Sequence, residues 1–155
     1  MVSIGVPVYN GEAFLEEKLD SLLARTFEDF EPIILDNAST DRTGEIARRL
    51  AARDGHVRYH RHPENLGLTA NYNGLIRMAS GELFKWATAD DLCRPTFLEH
   101  CVAALREIPD AVLAYPRTQA IDQAVKPPEI EDPAFPLHWP RAADRGATWR
   151  ERNTG

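Results

Sequence analysis

A chain of 155 residues is the size of one ordinary domain, and its 43% hydrophobic and 27% charged residues exclude the disordered and fibrous classes. A formal charge of −6, with no long Lys/Arg stripe, argues against nucleic acid as a partner. No apolar run approaches the about 20 residues of a membrane span, and Met1 leads directly into a strand-like segment without a signal peptide, so a cytoplasmic chain without a transmembrane segment is expected.

In chain order, Val2 to Val8 reads as a β-rich strand that Asn10-Gly11 ends in a turn. Phe14, Leu15, Leu19, Leu22 and Leu23 then recur at helical spacing, with Glu12, Glu16, Glu17, Lys18 and Asp20 on the opposite face. A strand is expected over Pro32 to Leu35. The turn and cap residues Asp36 to Asp41 follow, then a helix carrying Ile46, Ala47 and Leu50 that stops at Gly55. Val57 to His60 reads as a short strand, Thr69 to Met78 as a helix, Glu82 to Ala87 as a strand, Pro95 to Ile108 as a helix and Ala111 to Tyr115 as a closing strand. His60-Arg61-His62 alternates at a strand end and is expected to face solvent. Cys93 and Cys101 lack CxxC spacing, which predicts reduced thiols rather than a disulfide framework or a zinc site.

Strands alternating with amphipathic helices call for an α/β fold, a mainly parallel Rossmann-like sheet with helices on both faces. Ligands of such sheets gather beyond the carboxyl ends of the strands. The polar clusters Tyr9-Asn10, Asp36-Asn37 and Asp90-Asp91 fall at those ends and should face one site. Neither GxGxxG nor GxxxxGK[ST] occurs, so a nucleotide would be held by other means. Asp90 and Asp91 follow an apolar strand directly, and two adjacent carboxylates repel unless a positive partner or a helix N-terminus meets them. A divalent cation with a diphosphate is the preferred occupant, and capping of the next helix is the alternative.

Val6-Pro7-Val8-Tyr9-Asn10, Leu35-Asp36-Asn37-Ala38-Ser39-Thr40-Asp41, Asn65-Leu66-Gly67 with Asn73, Ala79-Ser80-Gly81-Glu82 and Asp90-Asp91 occur in an order that resembles family 2 glycosyltransferases. The resemblance runs from about Val2 to Asp122 and implies a GT-A fold, a nucleotide-diphosphate sugar donor and a divalent metal, Mg or Mn. It assigns residues 1–122 to a nucleotide-sugar-binding domain. By the same resemblance Pro7, Tyr9, Asn10 and Glu12 surround the nucleoside, and Asp36 accepts from the base. A carboxylate at a strand end can take the imide N–H of uracil or thymine, which points to a UDP- or dTDP-type donor, while a turn-forming role for Asp36 remains open. Asn65, Gly67 and Asn73 are placed along the ribose and diphosphate.

The family's metal motif is commonly Asp-x-Asp followed by Asp, whereas this chain reads Thr88-Ala89-Asp90-Asp91. Thr88 and Ala89 therefore belong to the donor wall, Asp90 keeps the position expected to meet the cation, and Asp91 is a second ligand or a cap. Lys85 and Arg94 could approach the diphosphate. Inverting members use an Asp or Glu base well beyond the metal motif, and no segment after Asp91 matches it, so the base is unassigned and the acceptor half is expected to be truncated.

Residues 116–155 hold six of the eleven prolines, the acids Glu129, Glu131 and Asp132, and an Arg-rich end. The part from residue 123 onward reads as a loosely ordered tail or a remnant of the acceptor half, with Trp139 and Trp149 as the argument for an acceptor lid. The expected function is sugar transfer from the nucleotide donor to a glycan, lipid or small-molecule acceptor, the acceptor itself unknown and a lipid acceptor bringing the protein to a membrane periphery. A nucleotide-sugar-binding domain without turnover is the alternative. A nucleotidyltransferase fits less well, since no Gly-rich basic loop follows the first strand.

Overall fold

The computed structural model of the protein describes residues 1–87 and 94–115. Eight elements follow one another: β1 (Val2–Val8), α1 (Leu15–Leu23), β2 (Phe30–Asp36), α2 (Thr43–Arg53), β3 (Arg58–Arg61), α3 (Leu68–Met78), β4 (Leu83–Trp86) and α4 (Phe97–Glu107). The four strands form a parallel sheet in the order β3-β2-β1-β4. Strand order reverses beside β1, so the carboxyl ends of β1 and β4 flank the switch point where such sheets take ligands.

Side-chain alternation divides the core between the two faces. Val2, Ile4, Val6, Val8, Phe30 and Ile34 pack against Leu15, Leu19 and Leu22 of α1, Ile46, Ala47 and Leu50 of α2, and Leu98 and Val102 of α4. On the other face Ile33 and Leu35 meet Leu75 of α3, joined by Met78 and Phe84. The register sets Gly5 beside Ile33 on one side and Trp86 on the other, and a Cβ at Gly5 would lie 2.8 Å from the Phe84 ring and 3.1 Å from Leu75. Glycine there lets α3 approach the sheet.

The opposite, amino-terminal end of the sheet is tied by Glu31. Its Oε1 accepts from the Ser3 hydroxyl at 2.7 Å, the Ser80 hydroxyl at 2.6 Å and the Ser80 N–H at 3.0 Å, while Oε2 accepts from Arg58 at 2.9 Å. The Gly81 N–H donates to Ser3 Oγ at 2.8 Å, and a Cβ on Gly81 would sit 2.7 Å from Ser3 N and 2.8 Å from the Met1 carbonyl. The Ala79-Ser80-Gly81-Glu82 motif thus closes the sheet far from the ligand edge. Burial pushes the Glu31 carboxyl up, but the hydrogen bonds from Ser3, Ser80 and Arg58 together hold it at about 2.

Three local readings need correction. Ala111 to Tyr115 is irregular, with Val112 87% and Leu113 72% exposed: the segment has a strand's composition but no ladder partner among the described residues. Helix α2 ends on an extended Asp54 that donates to the Leu50 carbonyl, and Gly55 has no left-handed φ. Lys18 lies on the buried stripe of α1, because positions 15, 18, 19 and 22 share one helical face.

Candidate functional site

The β1–α1 and β2–α2 loops leave adjacent strand ends and are stapled to each other. Asn10 N–H donates to Ser39 Oγ at 2.9 Å, Gly11 N–H to Thr43 Oγ1 at 2.8 Å and Glu12 N–H to Asp41 Oδ2 at 3.1 Å. Returning bonds run from Thr40 N–H to Asn10 Oδ1 at 2.8 Å and from Arg42 N–H to Glu12 Oε2 at 2.9 Å. Asp41 also accepts from Thr43, as a helix cap would, and although burial works to raise its carboxyl, the Thr43 and Glu12 donors hold it low. Asn10 and Glu12, expected around the nucleoside, therefore spend side-chain acceptors on the neighbouring loop. Tyr9 stands 50% exposed at the switch point, and Pro7 is buried in β1.

Asp36 differs most from its sequence reading. It is 0% exposed, and its carboxylate accepts from Ser39 N–H at 2.8 Å, Tyr59 OH at 3.1 Å and Arg61 Nη1 at 2.7 Å. Three protein donors thus occupy this carboxylate, and the Ser39 bond is the turn contact that the sequence left open for Asp36. The reason is alternation: Asp36 shares its face with Ile34 and points beneath α2, where a Cβ on Gly44 would lie 3.5 Å from Asp36 Oδ2. Burial and the Asp36 charge raise the Tyr59 hydroxyl, and the same carboxylate, opposing burial, raises Arg61.

Asn37, which the sequence placed at the same strand end without a specific role, stands next in line. Its N–H donates to the Val8 carbonyl at 2.9 Å, its Nδ2 to Asn65 Oδ1 at 2.7 Å, and its Oδ1 accepts from Leu66 N–H at 2.9 Å. Asn65 accepts a further bond from Gly67 N–H at 2.9 Å, and Gly67 begins α3 at φ 82, a left-handed value suited to glycine. The exposed Asn65 is thereby pinned over the end of β2.

On α3, Asn71 rather than Asn73 turns inward. Buried Asn71, Gly74 and Leu75 share one helical face, and Asn71 Nδ2 donates to the Leu35 carbonyl at 3.1 Å, whereas Asn73 is exposed. The spacing 71, 74, 75 and 78 carried that signal. Arg61 is exposed, as its place at the strand end predicts, and its guanidinium also pairs with the buried Asp36. Lys85 donates to the Trp86 carbonyl at 2.8 Å and lies over the Phe97 ring.

Thr88, Ala89, Asp90 and Asp91 lie outside the described residues, as do Cys93, Asp122, the acids Glu129, Glu131 and Asp132, and Trp139 and Trp149. Among the described residues no three His, Cys, Asp or Glu side chains converge as a metal site. Ala87, the residue before Thr88, is fixed beside β1 by its N–H bond to the Gly5 carbonyl at 2.8 Å, so the chain enters that segment at the switch point. No described helix is long and apolar enough to cross a membrane.

Comparison with known proteins agrees with this architecture. The chain is 35% identical over 124 residues to an uncharacterised glycosyltransferase of Rickettsia typhi, covering 79% of this chain and 38% of that protein. It is 43% identical over 91 residues to the uncharacterised glycosyltransferase EpsJ of Bacillus subtilis, covering 59% and 26%. The chain thus spans well under half the length of these relatives. Among solved structures, S. aureus TarS 1–349 in complex with UDP-GlcNAc superposes with a TM-score of 0.63 at 28% identity, over 68% of this chain and 31% of that one. A mannosyltransferase from Pyrobaculum calidifontis in complex with GDP-Man and Mn2+ gives 0.63 at 30% identity, over 67% and 32%. These neighbours share the GT-A, Rossmann-like parallel sheet. With the family model for glycosyl transferase family 2 matching residues 3–148, the chain belongs to that family.

Proposed function

We propose that the carboxyl edge of this sheet binds a nucleoside diphosphate sugar, and that the chain forms the donor-binding part of an inverting, metal-dependent glycosyltransferase. The observation that carries the reading is the double loop staple: five hydrogen bonds hold the β1–α1 and β2–α2 loops as one rigid rim, with Tyr9 exposed on it and Asn65 pinned beside it. Rigid rims lower the ordering cost of binding, and backbone groups at strand ends are suited to a flat base and its ribose. The UDP-GlcNAc bound by TarS supports a uridine donor here.

In this reading Asp36 shapes the rim from below, Tyr9 flanks the nucleoside, and Asn65 meets the base or ribose with an amide, which both donates and accepts. Pro7, Asn10, Glu12, Gly67 and Asn73 frame the donor, and Thr88 and Ala89 continue its wall. Asp90 and Asp91 would hold Mg or Mn with the diphosphate, supported by their place after β4 and by the Mn2+ in the Pyrobaculum enzyme's structure. Such a cation stabilises the negative charge that develops on the departing diphosphate. Residues 1–122 form the donor domain, and the acceptor is a glycan, lipid or small molecule.

Incubation with radiolabelled UDP-GlcNAc or UDP-glucose and a panel of saccharide and lipid acceptors tests this. Nucleotide binding with slow donor hydrolysis or transfer is expected from the full chain. Robust transfer lost in a chain ending at Asp122 would make the later segment catalytic, and no affinity for any nucleoside diphosphate would overturn the reading.

A further inference from the structure

We propose that Arg61 is the positioning residue of the donor rim, holding both of its left-handed backbone turns in shape without itself touching the nucleotide. The inference rests on the donor site proposed above. Among the described residues two non-glycines have positive φ, Asn10 at 51° in the β1–α1 loop and Ala38 at 61° in the β2–α2 loop. Asparagine takes such a conformation readily, whereas alanine keeps it only where its surroundings over-determine it. Ser39, immediately after Ala38, is gripped at both ends. Its N–H donates to Asp36 Oδ1 at 2.8 Å, and its carbonyl accepts from Arg61 Nη2 at 2.8 Å. Arg61 Nη1 and Asp36 Oδ2, 2.7 Å apart, close the ring.

The grip extends across the rim. Held in this ring, Ser39 presents its hydroxyl to Asn10 N–H at 2.9 Å, and Asn10 in turn accepts from Thr40 N–H at 2.8 Å. One guanidinium from β3 therefore fixes two loops that β3 does not contain. The fork is required because Nη1 and Nη2 serve different residues, which a single ammonium point charge does less well. Room for it comes from Gly44 on α2, where a Cβ would stand 3.1 Å from Tyr59 OH and 3.2 Å from Arg61 Nη1.

The test uses Arg61→Lys, Arg61→Ala and Arg61→Ala combined with Ala38→Gly in the full chain. Amide exchange at Asn10 and Thr40 without ligand, UDP affinity by calorimetry and the thermal midpoint are measured. Arg61→Ala should speed exchange at both amides by about tenfold or more and weaken UDP by about tenfold, because only part of the population then keeps the competent rim. Adding Ala38→Gly should restore most of the UDP affinity, since glycine takes the positive φ unaided. Arg61→Lys should retain the Asp36 pair and a near-normal midpoint yet still show faster exchange and weaker binding. Unchanged protection at Asn10 and Thr40 in either single variant would overturn the proposal, as would failure of Ala38→Gly to restore binding. A wild type without UDP affinity would refute the donor reading, while exchange at those two amides still decides the clamp.

Discussion

Replacing Glu31 by Gln should remove most of the acid sensitivity of the sheet's amino-terminal end. Glu31 is 9% exposed and its carboxylate accepts four hydrogen bonds, three on Oε1 and one on Oε2 from Arg58. Its pKa is held at about 2 against an ordinary 4.5, and that difference corresponds to about 3 kcal/mol of folding free energy at neutral pH. The sign follows from the depression. The contribution is complete above pH 4.5, declines as pH falls and is gone below about 2, when the folded state too is protonated. Glu31→Gln loses the charge and turns an amide N–H2 toward groups that are themselves donors, so about 3 kcal/mol should be lost at pH 7. With a urea slope of about 1.5 kcal/mol per molar, the midpoint drops by about 2 M. Urea melts from pH 7 to pH 2.5 of both proteins should show the gap narrowing through the acid range. A constant gap would refute the assignment of the depressed carboxyl to Glu31.

Other substitutions test the packing and the rim. Gly81→Ala should cost about 2 kcal/mol, because its Cβ would press on the backbone of Met1 and Ser3 rather than on a flexible side chain, and a thermal melt within a degree of wild type would contradict this. Asp36→Asn should lower the thermal midpoint by leaving the Tyr59 hydroxyl, the Ser39 N–H and the Arg61 guanidinium around a buried neutral amide. Its effect on UDP affinity in the surviving folded protein should be matched by Arg61→Lys, since both act through Ser39; full affinity in the folded Asp36 variant would separate the carboxylate from the rim.

Much of the fold was legible because buried parallel strands read as apolar runs and each helix carried a 3.6-residue stripe. β1 matched its expected bounds of Val2–Val8, and the other seven elements lay where the pattern placed them, within two or three residues at their ends. The site was legible as a location. Residue identities were less so, because a polar residue at a strand end has two possible directions and the motif does not state which. Asp36 alternates inward with Ile34, Asn71 takes the sheet-facing side of α3 while Asn73 stays exposed, and Arg61 reaches between strands to a carboxylate far away in sequence. Such a long-range pair leaves no local periodicity. The apolar Ala111–Tyr115 run shows the converse limit, since composition alone cannot supply a strand with a neighbour.

Titration of the full chain with UDP by calorimetry, in Mn2+ and in chelator, for wild type and Asp90→Asn, bears most directly on the central claim. The account predicts saturable binding by wild type that tightens with Mn2+, and loss of most of that metal response in Asp90→Asn with the metal-free affinity kept. Absence of UDP binding under both conditions, or a metal response untouched by the substitution, would contradict it.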